Sequence, residues 1–156
     1  MNKKLIFCLF LLFVAIASIS TASAFWPFDS GSDVTVNDVT FHLPEGFDVD
    51  NPVKSESDAT YENTVYKNTE NKETVDIAVD DKSVDDSVIA NNLIKKGFEQ
   101  KTIDGKEGFY NCYLSKNVEF VYIDNDKVIS IVVPYVYDQY GDNFMTYEEL
   151  IAEIIK

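Results

Sequence analysis

The most extended run of strand-like, apolar-rich segments lies at residues 106–136, where these segments are separated by Lys116-Asn117 and Asn125-Asp126. Short polar pairs between β-rich segments are typical of hairpin turns. The stretch therefore predicts a three-stranded antiparallel meander. A two-residue turn at Asn125-Asp126 sets its register and places Phe120 opposite Ile131.

A second two-residue turn at Lys116-Asn117 would place Tyr113 opposite Phe120 and Cys112 opposite Val121. Both faces of the meander are then apolar, so we expect a central sheet that is covered on both sides. One face would carry Phe109, Tyr113, Val118, Phe120, Tyr122, Ile129, Ile131 and Val133, and the other Tyr110, Cys112, Leu114, Val121, Ile123, Val128 and Val132.

The chain before the meander contains further strand patterns. Residues 34–47 predict a hairpin around Asn37-Asp38, because β-rich runs flank that polar pair. Residues 48–59 are polar and lack periodicity, which predicts a loop. Residues 61–66 and 73–79 alternate well enough to predict two more strands.

Two segments have helical spacing. The first is predicted from an N-cap at Ser83 to Gly97, with apolar residues recurring at helical intervals. The second, at 147–155, follows Thr146, which with Glu149 forms a capping-box pattern. The fold class is therefore α+β, a mostly antiparallel sheet of about six to eight strands flanked by two helices.

The N-terminal residues predict a targeting signal. Residues 1–24 combine two early lysines, a 15-residue apolar run and a small-residue end, which is the layout of a secretory signal peptide cleaved after Ala24. An uncleaved leader that anchors the chain to a membrane is the alternative. Residues 25–33 would form a flexible aromatic and polar segment, and residues 34–156 a single α+β domain.

An aromatic cluster, Phe25, Trp26 and Phe28, would stand at the new N-terminus. Such side chains are suited to a membrane interface or to docking on a partner. Packing against the protein's own core, or simple fraying, are the alternatives. We treat these three residues as candidate interaction residues.

The charge of the chain restricts its partners. It has 13 lysines and arginines, all of them lysines, against 27 aspartates and glutamates, which gives a formal net charge of -14. No arginine is present to clamp a phosphate or carboxylate with two hydrogen bonds. We therefore expect no nucleic-acid partner, and a membrane contact only through an uncleaved leader or the aromatic N-terminus, because anionic membrane surfaces are poor partners for an acidic chain.

Reactive side chains are few. After cleavage Cys112 is the one remaining cysteine, so we expect no intramolecular disulfide, and pairing between chains is the alternative. We expect Cys112 to be a buried small hydrophobic residue rather than a nucleophile paired with His42. His42, the only histidine, is expected to face solvent without a local carboxylate or second ligand.

A weak calcium-loop pattern lies near the C-terminus. Asp138, Tyr140, Asp142 and Glu149 fall at positions 1, 3, 5 and 12 of the template. The required glycine position holds Asn143, and no helix precedes the loop. Helix capping by Glu149 is the better interpretation, and a calcium site formed by Asp138, Asp142 and Glu149 is kept as an alternative.

Several segments carry a resemblance to known proteins. The leader with its aromatic cluster, VTVNDVTFHLPEGF, KKGFEQKTIDGKEGFY and FVYIDNDKVISIVVP resemble a group of small secreted or surface-associated proteins of methanogenic archaea. The order of elements is also similar to the PsbP/Mog1-like α/β/α sandwich, which implies a fold and no activity. Neither resemblance implies a site residue.

The sequence contains no phosphate-binding loop, no Cys/His metal cluster and no nucleophile elbow. We therefore expect a secreted or surface-associated binding domain that is not an enzyme, with a cationic or neutral surface or envelope component as its partner. The alternative is an extracellular calcium-binding protein. A hydrolase using a carboxylate pair or Cys112 is a third hypothesis.

Overall fold

The computed structural model describes residues 31–113, 116–138 and 144–156. The predicted signal peptide and the aromatic cluster of Phe25, Trp26 and Phe28 lie outside these ranges. The elements of the described part are β1 (Ser32–Val36), β2 (Val39–Leu43), β3 (Lys54–Ser57), β4 (Tyr61–Lys67), β5 (Thr74–Asp81), α1 (Asp86–Lys95), β6 (Glu99–Ile103), β7 (Lys106–Tyr113), β8 (Asn117–Asp124), β9 (Lys127–Pro134), β10 (Val136–Asp138), β11 (Phe144–Thr146) and α2 (Tyr147–Ile154).

Seven strands form one sheet in the order β3-β4-β5-β9-β8-β7-β6. Every neighbouring pair in this sheet is antiparallel. Two separate hairpins, β1–β2 and β10–β11, complete the strands of the described residues. The prediction of an α+β fold with a mostly antiparallel sheet and two helices is confirmed.

Left-handed backbone conformations form the predicted tight turns. Asn37 and Asp38 have φ values of 43° and 65°, and Asn125 has 54°. Asparagine and aspartate adopt this region more readily than most residues, and two-residue hairpin turns require it. The predicted turns at Asn37-Asp38 and Asn125-Asp126 are confirmed, as is the pairing of Phe120 with Ile131.

The predicted turn at Lys116-Asn117 is wrong. Tyr113 pairs with Asn117 and Cys112 pairs with Val118, so the connection spans residues 114–116. This register differs from the predicted one by three residues. Since an odd slip moves every side chain of a strand to the opposite face, β7 is inverted relative to the prediction.

One face of the sheet, here called the core face, is closed by the β1–β2 hairpin and α2. The inverted β7 places Tyr110 and Cys112 against this core. The fully buried large side chains of the described residues are Phe41, Phe120, Leu43, Ile77, Ile129, Ile131, Leu150, Ile151, Ile154, Val36 and Val75.

Helix α2 covers the core face as the sequence predicts. It begins after Thr146, whose hydroxyl accepts a hydrogen bond from the Glu149 amide while the Glu149 carboxylate accepts one from the Thr146 amide. The predicted capping box is thus confirmed. Leu150, Ile151 and Ile154 then lie on the buried side of the helix.

Helix α1 is different, because none of its residues is buried. Its N-cap is Asp85 rather than the predicted Ser83. It ends in a Schellman arrangement, in which the Phe98 amide bonds the Leu93 carbonyl at 3.1 Å and Gly97 adopts a φ of 88°. A peripheral helix of this kind contributes little to the core.

The opposite face of the sheet, here called the open face, is covered incompletely. Val128 and Val132 of β9 are only half-buried on it, whereas Ile129 and Val133 on the core face are at most 1% exposed. The predicted cover on both sides is thus found in full on the core face and only in part on the open face. Helix α1 lies over the β6–β8 part of the open face alone, as its position in the groove described below indicates.

Strand β3 was predicted as a loop. All four of its residues are exposed, because it forms the edge of the sheet. An exposed edge strand needs no alternation of apolar and polar residues, so the sequence pattern gives no sign of it.

No helix in the described part of the chain is long and apolar enough to cross a membrane.

Candidate functional site

A groove of about 600 Å³ runs between α1 and the open face of the sheet. Ligand-binding clefts typically measure roughly 300–1,000 Å³, so the groove has the size of a binding site. Polar and charged residues, such as Gln100, Thr102 and Glu107, line it together with apolar ones. Its apolar lining consists of Ile89, Leu93, Phe109, Val121 and Ile123.

The apolar lining comes from helix α1 on one side and from strands β7 and β8 on the other. Ile89 and Leu93 are four residues apart on α1, so they lie on the same side of the helix. Phe109 is paired directly with Val121 across β7 and β8, and Ile123 follows two residues later on the same face. The groove is thus formed by one side of a helix and the side chains of two neighbouring strands.

Two ion pairs lie at the rim of the groove. Lys82 Nζ is 3.0 Å from Asp86 Oδ1, and Lys106 Nζ is 2.6 Å from Asp124 Oδ2. The hydrogen bond to Asp86 raises the pKa of Lys82. Each pair cancels its own charge, so neither leaves a net charge beside the apolar lining.

Glu107 is the remaining acid on the rim. It pairs with Thr102 of the edge strand β6 and is exposed. Within the described residues its carboxylate has no ion pair or side-chain hydrogen bond. The groove therefore combines an apolar floor with a single uncompensated negative charge at its edge.

A ladder of polar side chains occupies the central part of the open face. Asn63 Nδ2 donates a 2.5 Å hydrogen bond to Asp76 Oδ1, from neighbouring strands β4 and β5. Burial raises the pKa of Asp76, and the hydrogen bond from Asn63 opposes that effect. Asp76 is a half-buried acid near the middle of the sheet.

Glu119 lies on the same cross-strand row as Asp76, with Val132 between them. Two strand spacings separate the two acids, roughly 10 Å between their Cα atoms. The Glu119 carboxylate accepts hydrogen bonds from Ser130 Oγ at 2.8 Å and from the Tyr113 hydroxyl at 2.6 Å. Burial, together with Glu119, raises the pKa of Tyr113 to about 12.

His42 has a partner that the sequence reasoning overlooked. Its Nδ1 lies 2.8 Å from Asp33 Oδ1, and the two residues face each other across the β1–β2 hairpin. The expectation of no local carboxylate is therefore wrong. The predicted turn at Asn37-Asp38 already places Asp33 opposite His42, so extending the hairpin register by one strand position would have found the pair.

Cys112 is half-buried and packs against the core cluster. His42 alternates with the buried Phe41 and Leu43, so its side chain points away from that core. The described structure does not bring Cys112 and His42 together as a nucleophile and base. Cys112 is a free cysteine within the described residues.

The calcium hypothesis involves residues that are described only in part. Asp142 and the side chain of Asp138 lie outside the described residues. The Glu149 carboxylate accepts hydrogen bonds from the Thr146 amide at 2.8 Å and the Thr146 hydroxyl at 2.9 Å. No group of three histidine, cysteine, aspartate or glutamate residues in the described ranges could hold a metal ion.

A further cluster fixes α2 to the sheet. Lys101 Nζ of β6 is 2.5 Å from Glu148 Oε1 at the start of α2, and it lies 5.8 Å and 6.0 Å from the ring centroids of Tyr110 and Tyr147. The two rings stack at 6.3 Å. The hydrogen bond between Lys101 and Glu148 raises the pKa of Lys101 and lowers the pKa of Glu148. This cluster is a structural contact between β6 and α2.

Comparisons of the chain with protein-family models, with curated proteins and with solved structures found no match. The groove was missed by the sequence reasoning, which expected the sheet to be covered on both sides. The exposed Val88 and Ile94 lie on other sides of α1 than Ile89 and Leu93. Apolar residues spread around a helix axis in this way were a signal that the helix would not bury one apolar side completely.

Proposed function

We propose that this protein is a secreted or surface-associated binding domain without catalytic activity, and that the groove between α1 and the open face is its binding site. The observation that carries the proposal is a cleft of ligand size under a helix that has no buried residue. A helix so weakly packed leaves apolar strand residues such as Phe109 and Ile123 partly open to a ligand.

The charge of the chain favours a neutral or cationic ligand. A net charge of -14 repels anions at long range, and salt weakens that repulsion. The apolar lining favours a ligand with an apolar body. We therefore propose an apolar group of a neutral or cationic surface or envelope component as the partner.

The absence of catalysis is part of the proposal. The Asp76 and Glu119 carboxylates are occupied by hydrogen bonds within the polar ladder. Cys112 lies against the core while His42 pairs with Asp33. These arrangements favour structural roles for the side chains that a hydrolase would need.

The sequence also supports a proposal for where the protein works and which proteins it is related to. The leader favours export, and Phe25, Trp26 and Phe28 would add contacts to a surface or a membrane interface. We further propose a PsbP/Mog1-like arrangement, supported by one helix on each face of the sheet, and a relationship to the small secreted proteins of methanogenic archaea.

A neutral fluorescent probe, N-phenyl-1-naphthylamine, tests the groove. We expect its emission to rise on binding and to saturate with one site. Thr102→Trp places an indole on β6 at the groove, where Thr102 is exposed. This variant should bind the probe at least tenfold more weakly than the native protein while its unfolding midpoint stays unchanged.

The matched control is Thr35→Trp, which adds the same side chain to an exposed position of β1 far from the groove in the fold. Native affinity is expected for this control. Equal binding by both variants, or no saturable binding by the native protein, would refute the groove as a binding site.

A further inference from the structure

The charges around the groove are not distributed evenly. Lys82 neutralises Asp86, and Lys106 neutralises Asp124. Lys101, which also lines the groove, forms an ion pair with Glu148 of α2. Glu107 is thus the one rim carboxylate in the described residues that has no cationic neighbour in an ion pair.

Glu107 is also placed to meet a ligand that lies on the apolar floor. It precedes Phe109 by two residues on β7, so both side chains are on the open face. On the neighbouring edge strand, Thr102 faces Glu107 and Gln100 faces Phe109. The carboxylate therefore lies beside Phe109 on the open face, next to the edge strand β6.

We infer that the ligand is a cationic amphiphile, with an apolar body on Phe109, Val121 and Ile123 and a single positive charge at Glu107. This inference rests on the proposed binding function of the groove and specifies its ligand class. A neutral apolar ligand would fill the floor but leave Glu107 without a partner. An anionic one would face Glu107 within an already acidic protein.

The contribution of the charge is expected to be moderate. Glu107 is exposed, and an exposed ion pair contributes at most about 1 kcal/mol, which corresponds to about fivefold in affinity at low salt. The apolar contacts would supply the rest of the affinity. The preference for a cation should shrink as the salt concentration rises.

Three single-chain amphiphiles of similar length test the inference: octyltrimethylammonium, octyl glucoside and octanoate. Each is titrated into the native protein with bound N-phenyl-1-naphthylamine, at concentrations below its micelle threshold, and displacement of the probe is measured. We expect the cation to displace the probe at about fivefold lower concentration than the neutral glucoside at low salt. Octanoate should be the weakest of the three.

Glu107→Gln should abolish the preference for the cation and leave displacement by octyl glucoside unchanged. Glu70→Gln removes one charge from an exposed position in the turn between β4 and β5, so it controls for net charge and should keep the preference. If the cation has no advantage over the glucoside, or keeps it in Glu107→Gln, the inference is wrong while the groove remains a binding site. Failure of the neutral probe to bind would instead refute the proposed function.

Discussion

Two adjacent valines of β9 test the difference between the two faces of the sheet. Val133 lies on the core face and is 1% exposed, whereas Val132 lies half-buried on the open face. Replacing each by alanine deletes the same two carbon groups from the same strand. The change in intrinsic β-propensity is therefore similar for both variants, and their difference reports packing alone.

The expected magnitudes follow from burial. Two buried carbon groups contribute about 1.6 kcal/mol at roughly 0.8 kcal/mol each. The cavity left beneath the sheet adds to this loss, so Val133→Ala should lower the free energy of unfolding by about 2–3 kcal/mol. Val132→Ala loses only part of the transfer term and leaves no closed cavity, so we expect a loss of about 0.5–1 kcal/mol.

Urea unfolding followed by circular dichroism measures both losses. The dependence of the free energy on urea should be the same in the two variants, so that the midpoint shift reports stability. A loss for Val132→Ala that equals or exceeds the loss for Val133→Ala would mean that the open face is packed as tightly as the core face. The description of the open face as incompletely covered would then be wrong.

Two further predictions concern side chains of the open face and of α2. Burial raises the pKa of Asp76 in the folded protein above its ordinary value of 3.8. Between the unfolded-state pKa and this raised folded-state pKa, the folded protein binds more protons than the unfolded chain. The ionised Asp76 therefore destabilises the protein increasingly as pH rises through that window. Asp76→Asn can still accept the hydrogen bond from Asn63. It should raise the urea midpoint at pH 7 and have no effect below about pH 3.8. A midpoint that falls at pH 7 would contradict a raised pKa for Asp76. Thr146→Ala removes the hydroxyl that accepts a hydrogen bond from the Glu149 amide at 3.3 Å, and it should lower the free energy of unfolding by about 1 kcal/mol. The control Thr35→Ala, at an exposed strand position, should lower it by less. Equal losses of stability in thermal unfolding would argue against the capping box.

Local turn chemistry made a large part of the fold predictable. Asn37-Asp38 and Asn125-Asp126 have the residue types that adopt left-handed conformations, and the registers they predict agree with the structure. Lys116-Asn117 looked similar but has no such geometry in the structure, since Asn117 is already within β8. The difference is three residues, and it reversed the side chains of β7. Sequence pattern alone could not detect the error, because both faces of β7 carry apolar residues.

The candidate site was harder to predict than the fold. Ile89 and Leu93 have the spacing of a packed helix, and nothing in the spacing says whether the helix closes onto the sheet or stays above it. That outcome depends on the whole tertiary arrangement, in which α2 and the β1–β2 hairpin cover the core face. The pairing of His42 with Asp33, by contrast, followed from a register that the sequence already supplied.

The central claim is that the groove between α1 and the open face binds an apolar ligand. Amide chemical-shift mapping of the ¹⁵N-labelled protein with N-phenyl-1-naphthylamine tests it most directly. The largest changes are expected at Ile89, Leu93, Phe109, Val121 and Ile123, with β1, β2 and α2 unaffected. Changes that concentrate on the β1–β2 hairpin or α2, or no changes at saturating probe, would contradict the claim.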